Sequence, residues 1–241
     1  MNVEKPETTV EVGENLIHFI ARSPSVFHAV HGVKEALLYS GFTEIREEDP
    51  WHIEKGGKYV VTRNGSALIA FAVPESGADS FRITASHADS PCFKIKENPE
   101  IKEGPYVKLN VEGYGGMIMS TWLDRPLSVA GRLIVRENGH LAQKLAAVDG
   151  TMLVIPSVAI HMDRNVNHKK DWNVQKDLLP LYGLATEKTS FMDVIAASAN
   201  VKTEDIVAHD LYLYSRVPGT IWGEEKEFIS SPKLDDLQCA F

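Results

Sequence analysis

Two short apolar runs joined by Asn64-Gly65 place the strongest constraint on the fold of this chain. The runs cover residues 58–63 and 66–73 and are rich in β-branched and other apolar residues. An Asn-Gly pair readily takes the positive φ angles that a two-residue β-hairpin turn requires. We therefore predict an antiparallel hairpin here. The apolar run that follows at residues 81–86 predicts a further, buried strand.

The residues before the hairpin have helical periodicity. Apolar side chains recur at helical spacing over residues 15–40, and Ser23-Pro24-Ser25 interrupts them. We predict two helices around this break. In the second helix, Ser23 is the expected N-cap, Pro24 the first helical residue, and Gly41 the residue that ends it.

Beyond residue 100 the pattern changes to short strand-like runs separated by glycines. The predicted strands cover residues 106–111, 127–135, 152–160 and 210–215, and one helix is predicted at 190–199. Residues 165–176, rich in Lys and Asn, predict an exposed loop. We interpret the chain as an α/β domain at 1–100, an inserted and mostly β domain at 101–225, and a return to the first domain at 226–241.

Composition narrows the class of protein. The 241 residues carry a net charge of −8, and 44% of them are hydrophobic. This acidic balance argues against binding to nucleic acids or anionic membranes, and no apolar run is long enough to span a bilayer. With only Cys92 and Cys239, and no apolar signal core within residues 1–14, we expect a cytoplasmic protein in a reducing compartment.

His87 and Asp89 directly follow the predicted strand at 81–86. Residues i and i+2 of an extended segment point to the same side, so the Asp89 carboxylate could orient the His87 imidazole while that imidazole binds a metal ion. The alternative is a structural histidine beside a turn aspartate, which Ser90-Pro91 would also explain. Spacing alone leaves both interpretations open.

Asp235 and Asp236 are the second pair of candidates. Adjacent acids before an apolar residue are typical of a helix start, where carboxylates suit the helix dipole. The functional alternative is a carboxylate that bridges two metal ions and needs an imidazole partner, which His87 could supply.

Four other residues are weaker candidates. His161 ends the predicted strand at 152–160, where a half-buried histidine at a sheet edge is the simple interpretation. Cys92 could act as a nucleophile beside His87, although a free cysteine is more often a small buried hydrophobe. His28 and His31 lie three apart on a predicted helix, where packing is favoured over metal binding.

Five segments, in this order, resemble the aspartyl aminopeptidase family of dinuclear-zinc exopeptidases. Residues 22–30 resemble its N-terminal helix motif, and residues 86–91 its first metal-ligand motif. Residues 113–116 with 120–125 resemble the stretch that enters its inserted domain. Residues 155–167 are similar to a further block, and residues 231–237 to the bridging-carboxylate motif. The resemblance spans nearly the whole chain.

The resemblance implies a role for each candidate residue. His87 would be a terminal ligand of one zinc ion, and Asp89 would orient it. Asp235 would contact both metal ions, whereas Asp236, where the family often has Asn, would at most support the ligands. His161 would reach into the site of a neighbouring subunit and stabilise the oxyanion.

The resemblance also implies a fold, cofactors and partners. The fold would be an α/β zinc-exopeptidase-type catalytic domain interrupted by a mostly β dimerisation domain, and the dimers would assemble further. The cofactors would be two divalent ions per complete site, zinc with manganese or cobalt as alternatives. The partners would be peptide substrates and copies of the same chain.

The sequence departs from the family at its end. The family's glutamate base, further acidic ligand and C-terminal ligand histidine follow the bridging aspartate, whereas this sequence stops at Phe241. We therefore expect the N-terminal portion of a metal-dependent aminopeptidase that removes N-terminal, chiefly acidic residues, and we expect this chain to be inactive alone. Three alternatives stay open: a non-catalytic oligomerisation or regulatory subunit, a general aminopeptidase or deacylase of related fold, and a thiol hydrolase using Cys92.

Overall fold

The structure, a computed structural model, describes residues 8–77, 79–168, 170–185 and 190–241. The chain forms two compact units. The discontinuous unit comprises Met1–Ser90 and Gly219–Phe241, and the continuous unit comprises Pro91–Pro218. These divisions differ from the sequence-based bounds near 100 and 225, because the first long strand of the continuous unit already begins at Cys92.

The secondary structure of the described residues is mixed α/β. The helices are α1 (Thr9–Ala21), α2 (Val26–Tyr39), α3 (Val174–Asp177), α4 (Phe191–Ser198) and α5 (Leu234–Ala240), with 3-10 turns at Met119–Trp122 and Thr203–Asp205. The strands are β1 (Thr43–Glu44), β2 (Lys58–Arg63), β3 (Ala67–Ala72), β4 (Cys92–Glu103), β5 (Tyr106–Tyr114), β6 (Leu127–Glu137), β7 (His140–Ala147), β8 (Leu181–Leu184), β9 (Ile206–Ser215), β10 (Thr220–Trp222) and β11 (Phe228–Ser230). None of the helices in the described ranges is long and apolar enough to cross a membrane.

The two N-terminal helices of the discontinuous unit are present, but their starts differ from the prediction. Helix α1 begins at Thr9, where Thr8 and Glu11 form a reciprocal capping box. Helix α2 begins at Val26 with Ser25 as its N-cap, so the prediction that Ser23 caps it is wrong. The Ser23 carbonyl oxygen instead accepts a hydrogen bond from Lys233, which holds this residue outside the helix. Gly41, with φ of 85°, follows the end of α2 as expected.

The predicted hairpin is confirmed. Strands β2 and β3 pair antiparallel in full register, and β1 adds to β2 in parallel. Asn64 and Gly65 have the positive φ values expected of this pair, 54° and 65°, but Arg63 pairs with Ala67, so the connection has three residues, the third being Ser66, rather than two. Helix α2 contacts both long strands of this sheet.

The strand predicted at 81–86 is wrong. The segment has no strand structure, and Phe81 and Ile83 are 88% and 84% exposed. An apolar run becomes a buried strand only when neighbouring strands satisfy its backbone groups. No strand in the described part of the chain pairs with this segment, so its apolar side chains face solvent.

A small apolar cluster connects distant parts of the discontinuous unit. Ile20, Ala29 and Leu237 are almost fully buried at its centre. Partly buried residues from α1, from the segment between His87 and Asp89, and from α5 pack against it: Leu16, Phe19, Ala88 and Leu234. The first 30 described residues and the last helix therefore share one core.

The continuous unit is built on an antiparallel sheet with the strand order β7-β6-β9-β4-β5-β8 among the described residues. Its core is formed by buried side chains of the sheet together with Phe191 and Ile195 of α4, the helix predicted at 190–199. Gly131 in β6 lies so close to β9 that a Cβ atom would be 1.9 Å from the carbonyl oxygen of Asp210. This glycine serves strand packing rather than a turn.

The strand predicted at 152–160 is only partly present. Leu153, Val154 and Ile155 form isolated bridges, and the residues from 156 onward are exposed and outside any strand. Pro156 has no backbone N–H to donate to a neighbouring strand, which explains where the pairing stops.

Candidate metal centre

His87 and Asp89 lie in an extended loop rather than at a strand end, yet their side chains meet. The Nδ1 atom of His87 lies 3.1 Å from Oδ1 of Asp89 and 3.1 Å from its carbonyl oxygen. When Nδ1 carries the proton, it donates to Asp89 and the Nε2 lone pair is free to bind a metal ion. The expected relation between these two residues therefore holds without the predicted strand.

The other ring nitrogen of His87 faces two carboxylates. Nε2 lies 3.6 Å from Oδ1 of Asp235 and 3.4 Å from Oδ2 of Asp236. Within the described residues, this is the one group of three histidine, cysteine or acidic side chains whose ligand atoms all lie within 4.8 Å of one another.

The donor set and its spacing fit zinc. Zinc bonds to imidazole nitrogen and carboxylate oxygen are about 2.0 Å long, so ligand atoms at neighbouring corners of a tetrahedron lie roughly 3.3 Å apart. The distances from Nε2 of His87 to the two carboxylates are close to this value. Small side-chain movements would bring all three groups onto one ion.

The local backbone brings the two aspartates to this position. Asp235 and Asp236 have non-helical φ and ψ angles within α5, and the peptide bond between them is cis. The amide of Asp236 donates to the carbonyl oxygen of Asp89 at 3.4 Å, which joins the two ligand-bearing segments. The side chains of Asp235 and His87 are 73% and 56% exposed, whereas that of Asp236 is 20% exposed.

The electrostatics of the group favour a cation. Burial lowers the pKa of His87, but hydrogen bonds to Asp89 and the negative charge of Asp236 outweigh it, and the net pKa is raised. The same carboxylates that stabilise an imidazolium would stabilise a divalent ion. An ion would have to displace the proton from Nε2, since only neutral imidazole binds metal.

Two of the other candidates lie elsewhere. His161 belongs to the continuous unit and lies in an exposed turn in which the amide of Met162 donates to the carbonyl of Ala159. The prediction that it ends a strand is therefore wrong. Cys92 is the first residue of β4, also in the continuous unit.

His28 has a structural contact. Its Nδ1 atom lies 2.8 Å from the hydroxyl of Ser25. Burial, with smaller contributions from the charges of Lys233 and His31, lowers its pKa to about 4. This is the packed histidine that the apolar surroundings of the helix suggested.

Lys233 is a residue of this region that no sequence motif singled out. Its ammonium group donates to the carbonyl oxygens of Ile20 and Ser23 at 3.0 and 2.7 Å. Carbonyl oxygens at and just after the C-terminal end of a helix are common acceptors for a lysine side chain. However, no local pattern in the sequence links residue 233 to residues 20 and 23.

The family model for aminopeptidase I zinc metalloproteases, M18, matches residues 19–241. The chain is 46% identical over 238 residues to a probable M18 family aminopeptidase 2 of Clostridium acetobutylicum, covering 95% of this chain and 55% of that protein. It is 36% identical over 261 residues to aspartyl aminopeptidase 4 of Saccharomyces cerevisiae, covering 95% of this chain and 53% of that protein.

Solved structures agree with this assignment. The fold matches a chain in the cryo-EM structure of the Ape4 and Nbr1 complex with a TM-score of 0.88 and 33% identity, over 93% of this chain and 48% of that chain. It also matches the S. cerevisiae mApe1 dodecamer with a TM-score of 0.77 and 24% identity, over 93% and 52% of the two chains.

The family whose model matches is one of zinc metalloproteases. The chain belongs to the M18 family of aminopeptidases, as the resemblance to the aspartyl aminopeptidases indicated. It spans about half the length of the curated relatives it matches.

Proposed function

We propose that this chain contributes to a zinc aminopeptidase that removes N-terminal acidic residues from peptides. The observation that carries the proposal is the group formed by His87, Asp235 and Asp236. Membership of a zinc metalloprotease family supports the metal, and similarity to a protein called aspartyl aminopeptidase 4 supports the acidic substrate.

Each residue of the site has a separate task in this proposal. His87 binds the ion through Nε2, and Asp89 accepts a hydrogen bond from Nδ1 and so fixes the plane of the ring. Asp235, the more exposed carboxylate, would take the bridging role that the family resemblance implies, and the less exposed Asp236 would be a further ligand. A zinc ion held there would supply a Lewis acid that polarises the scissile carbonyl and activates water.

Zinc binding by this chain tests the metal site directly. We expect His87→Ala and Asp235→Ala to weaken zinc binding, measured by competition with a chromogenic chelator, by at least about 10-fold. His52→Ala is the matched control, because His52 is an exposed histidine of the same unit outside the group. Equal affinity in all four proteins would overturn the assignment.

The number of ligand groups also bears on whether the chain can hydrolyse peptides alone, because the site has three of them. Two ions acting together require more ligands than the group identified among the described residues provides. We therefore expect the isolated 241-residue chain to release no N-terminal Asp or Glu. Appreciable zinc-dependent release by the purified chain would contradict this part of the proposal.

Substrate preference is tested on the protein isolated from its source cells. Faster release of Asp and Glu than of Leu or Ala supports the acidic preference. The reverse order supports a general aminopeptidase, and no release from any peptide supports a non-catalytic subunit.

We further propose a homo-oligomer in which His161 acts on the site of a neighbouring subunit. His161 is exposed between exposed apolar side chains, Val158, Ile160 and Met162, and a relative of the same fold is described as a dodecamer. In the protein isolated from its source cells, we expect His161→Ala to leave zinc binding unchanged and to abolish peptide release, since it removes an oxyanion donor. Unchanged release would remove His161 from the mechanism.

A further inference from the structure

Lys233 makes its contacts at the C-terminal end of α1. Its ammonium group donates to the carbonyl oxygens of Ile20 and Ser23 at 3.0 and 2.7 Å. The last carbonyls of a helix lack partners within the helix and carry its partial negative charge, so a lysine is well suited to them. Lys233 thereby connects the start of α5 to the turn between α1 and α2.

The backbone after Lys233 does not hold itself in place as a regular helix would. Lys233 has a φ of 60°, and the two residues that carry the ligand carboxylates, Asp235 and Asp236, have non-helical angles. Their positions therefore depend on the hydrogen bond from the amide of Asp236 to the carbonyl oxygen of Asp89 and on what anchors the chain on either side. On one side the anchor is the ammonium of Lys233, and on the other it is the side chain of Leu237, which is 1% exposed.

The segment that carries His87 and Asp89 also packs against the end of α1. Ala88, between His87 and Asp89, packs on the cluster centred on Ile20, Ala29 and Leu237. The carbonyl of Ile20 is also one of the two acceptors of Lys233. The end of α1 is thus in contact with both segments whose side chains converge at the metal centre.

We propose that Lys233 is a positioning residue for the zinc site: by binding the end of α1, it sets Asp235 and Asp236 at the distance from His87 that one ion requires. This inference rests on the proposed function. Loss of Lys233 would act through the aspartates: with the bond from Asp236 to Asp89 and the packing of Leu237 as the remaining anchors, their carboxylates would more often lie too far from Nε2 of His87 to share an ion.

Zinc affinity of variant chains tests the proposal. We expect Lys233→Met to weaken zinc binding about 10- to 100-fold, as the loss of a supporting contact commonly does. Lys233→Arg, which keeps a cation that donates to carbonyl oxygens, restores affinity to within about 3-fold. Lys34→Met is the matched control, because Lys34 pairs with Glu44 in the same unit and its loss should not change the affinity.

A second measurement needs no variant. Coupling between two sites is reciprocal, so zinc binding must strengthen the contacts of Lys233 if these contacts strengthen zinc binding. We expect zinc to slow amide hydrogen exchange at residues 20–23 as well as at 233–238. If Lys233 only capped α1 and were not coupled to the zinc site, zinc would slow exchange near the ligands alone.

The outcomes separate this inference from the proposed function. If the unaltered chain binds no zinc, or binds it equally well after His87→Ala, both proposals fail. If binding depends on His87 but Lys233→Met binds zinc as tightly as the unaltered chain, only the role of Lys233 fails. If Lys233→Met does not fold, unchanged exchange at residues 20–23 on zinc addition overturns it.

Discussion

The Oδ1 atom of Asp124 accepts a hydrogen bond of 2.9 Å from the backbone amide of Ser157. The amide of Asp124 in turn donates to the carbonyl oxygen of Ile155 at 2.9 Å. Asp124 therefore fixes the start of the exposed loop that carries His161. The Ser157 contacts also lower the pKa of the Asp124 carboxyl, as expected for a carboxylate that accepts hydrogen bonds.

We predict that Asp124→Ala loosens this loop. The amide of Ser157 loses its acceptor, and a net loss of about 1 kcal/mol corresponds to roughly 5-fold faster hydrogen exchange. Asp124→Asn keeps an acceptor oxygen and tolerates the left-handed φ of 57°, so it should retain most of the protection. Unchanged exchange at Ser157 in the alanine variant would show that the bond does not hold the loop.

We predict that His28 makes the discontinuous unit sensitive to acid. Its pKa is about 4 in the folded chain, mainly because of burial, and near 6.5 when unfolded. Between these values the unfolded chain binds more protons, so stability falls as the pH falls through this window. The loss between pH 7.5 and 4.5 is on the order of 2–3 kcal/mol from this residue.

Urea unfolding at the two pH values measures the effect. His28→Gln should remove most of this pH dependence. His31→Gln, at an exposed position of the same helix, should retain most of it. An identical pH dependence for His28→Gln and the unaltered chain would rule out this source of acid sensitivity.

We predict that Gly131→Ala destabilises the continuous unit by roughly 2–4 kcal/mol, because the added methyl group has to displace the backbone of β9. Gly183→Ala is the matched control: Gly183 lies in β8 of the same sheet and has nothing within 4 Å of the added carbon. Chemical denaturation gives both values. Equal stability of the two variants would mean that β6 and β9 are farther apart than described.

We predict that Phe81 and Ile83 make the isolated chain bind apolar dyes. The double variant Phe81→Ser with Ile83→Ser should reduce dye fluorescence and aggregation without lowering the melting temperature, because both side chains are largely exposed. Phe27→Ser, at a position that is 4% exposed, should lower the melting temperature clearly. A comparable loss for both replacements would indicate that residues 81 and 83 are buried in solution.

Sequence patterns correctly predicted the elements that are stabilised by contacts between residues close in sequence. The hairpin at Asn64-Gly65 and the helix at 190–199 follow from turn chemistry and from capping, which act over a few residues. The strand at 81–86 failed because apolar composition cannot supply a pairing partner. The N-cap at Ser23 failed because a lysine more than 200 residues away binds its carbonyl oxygen.

The contacts of the candidate site are also of two kinds, one between residues close in sequence and one between distant residues. The contact between His87 and Asp89 follows from their i, i+2 spacing and is present at 3.1 Å. The approach of Asp235 to His87 follows from no local pattern: the residues alone offered it as one of two alternatives, and the family resemblance favoured it. Asp236 was expected at most to support the ligands, yet it lies nearer to Nε2 of His87 than Asp235 does.

The division of the chain into a continuous and a discontinuous unit has a consequence for synthesis. The continuous unit has all its strands once Pro218 has left the ribosome, so its sheet can form early. Ile20 and Ala29 are made more than 200 residues before their buried partner Leu237. The nascent N-terminal helices must therefore stay soluble with an uncovered apolar face until α5 arrives, which makes this unit the more dependent on chaperones.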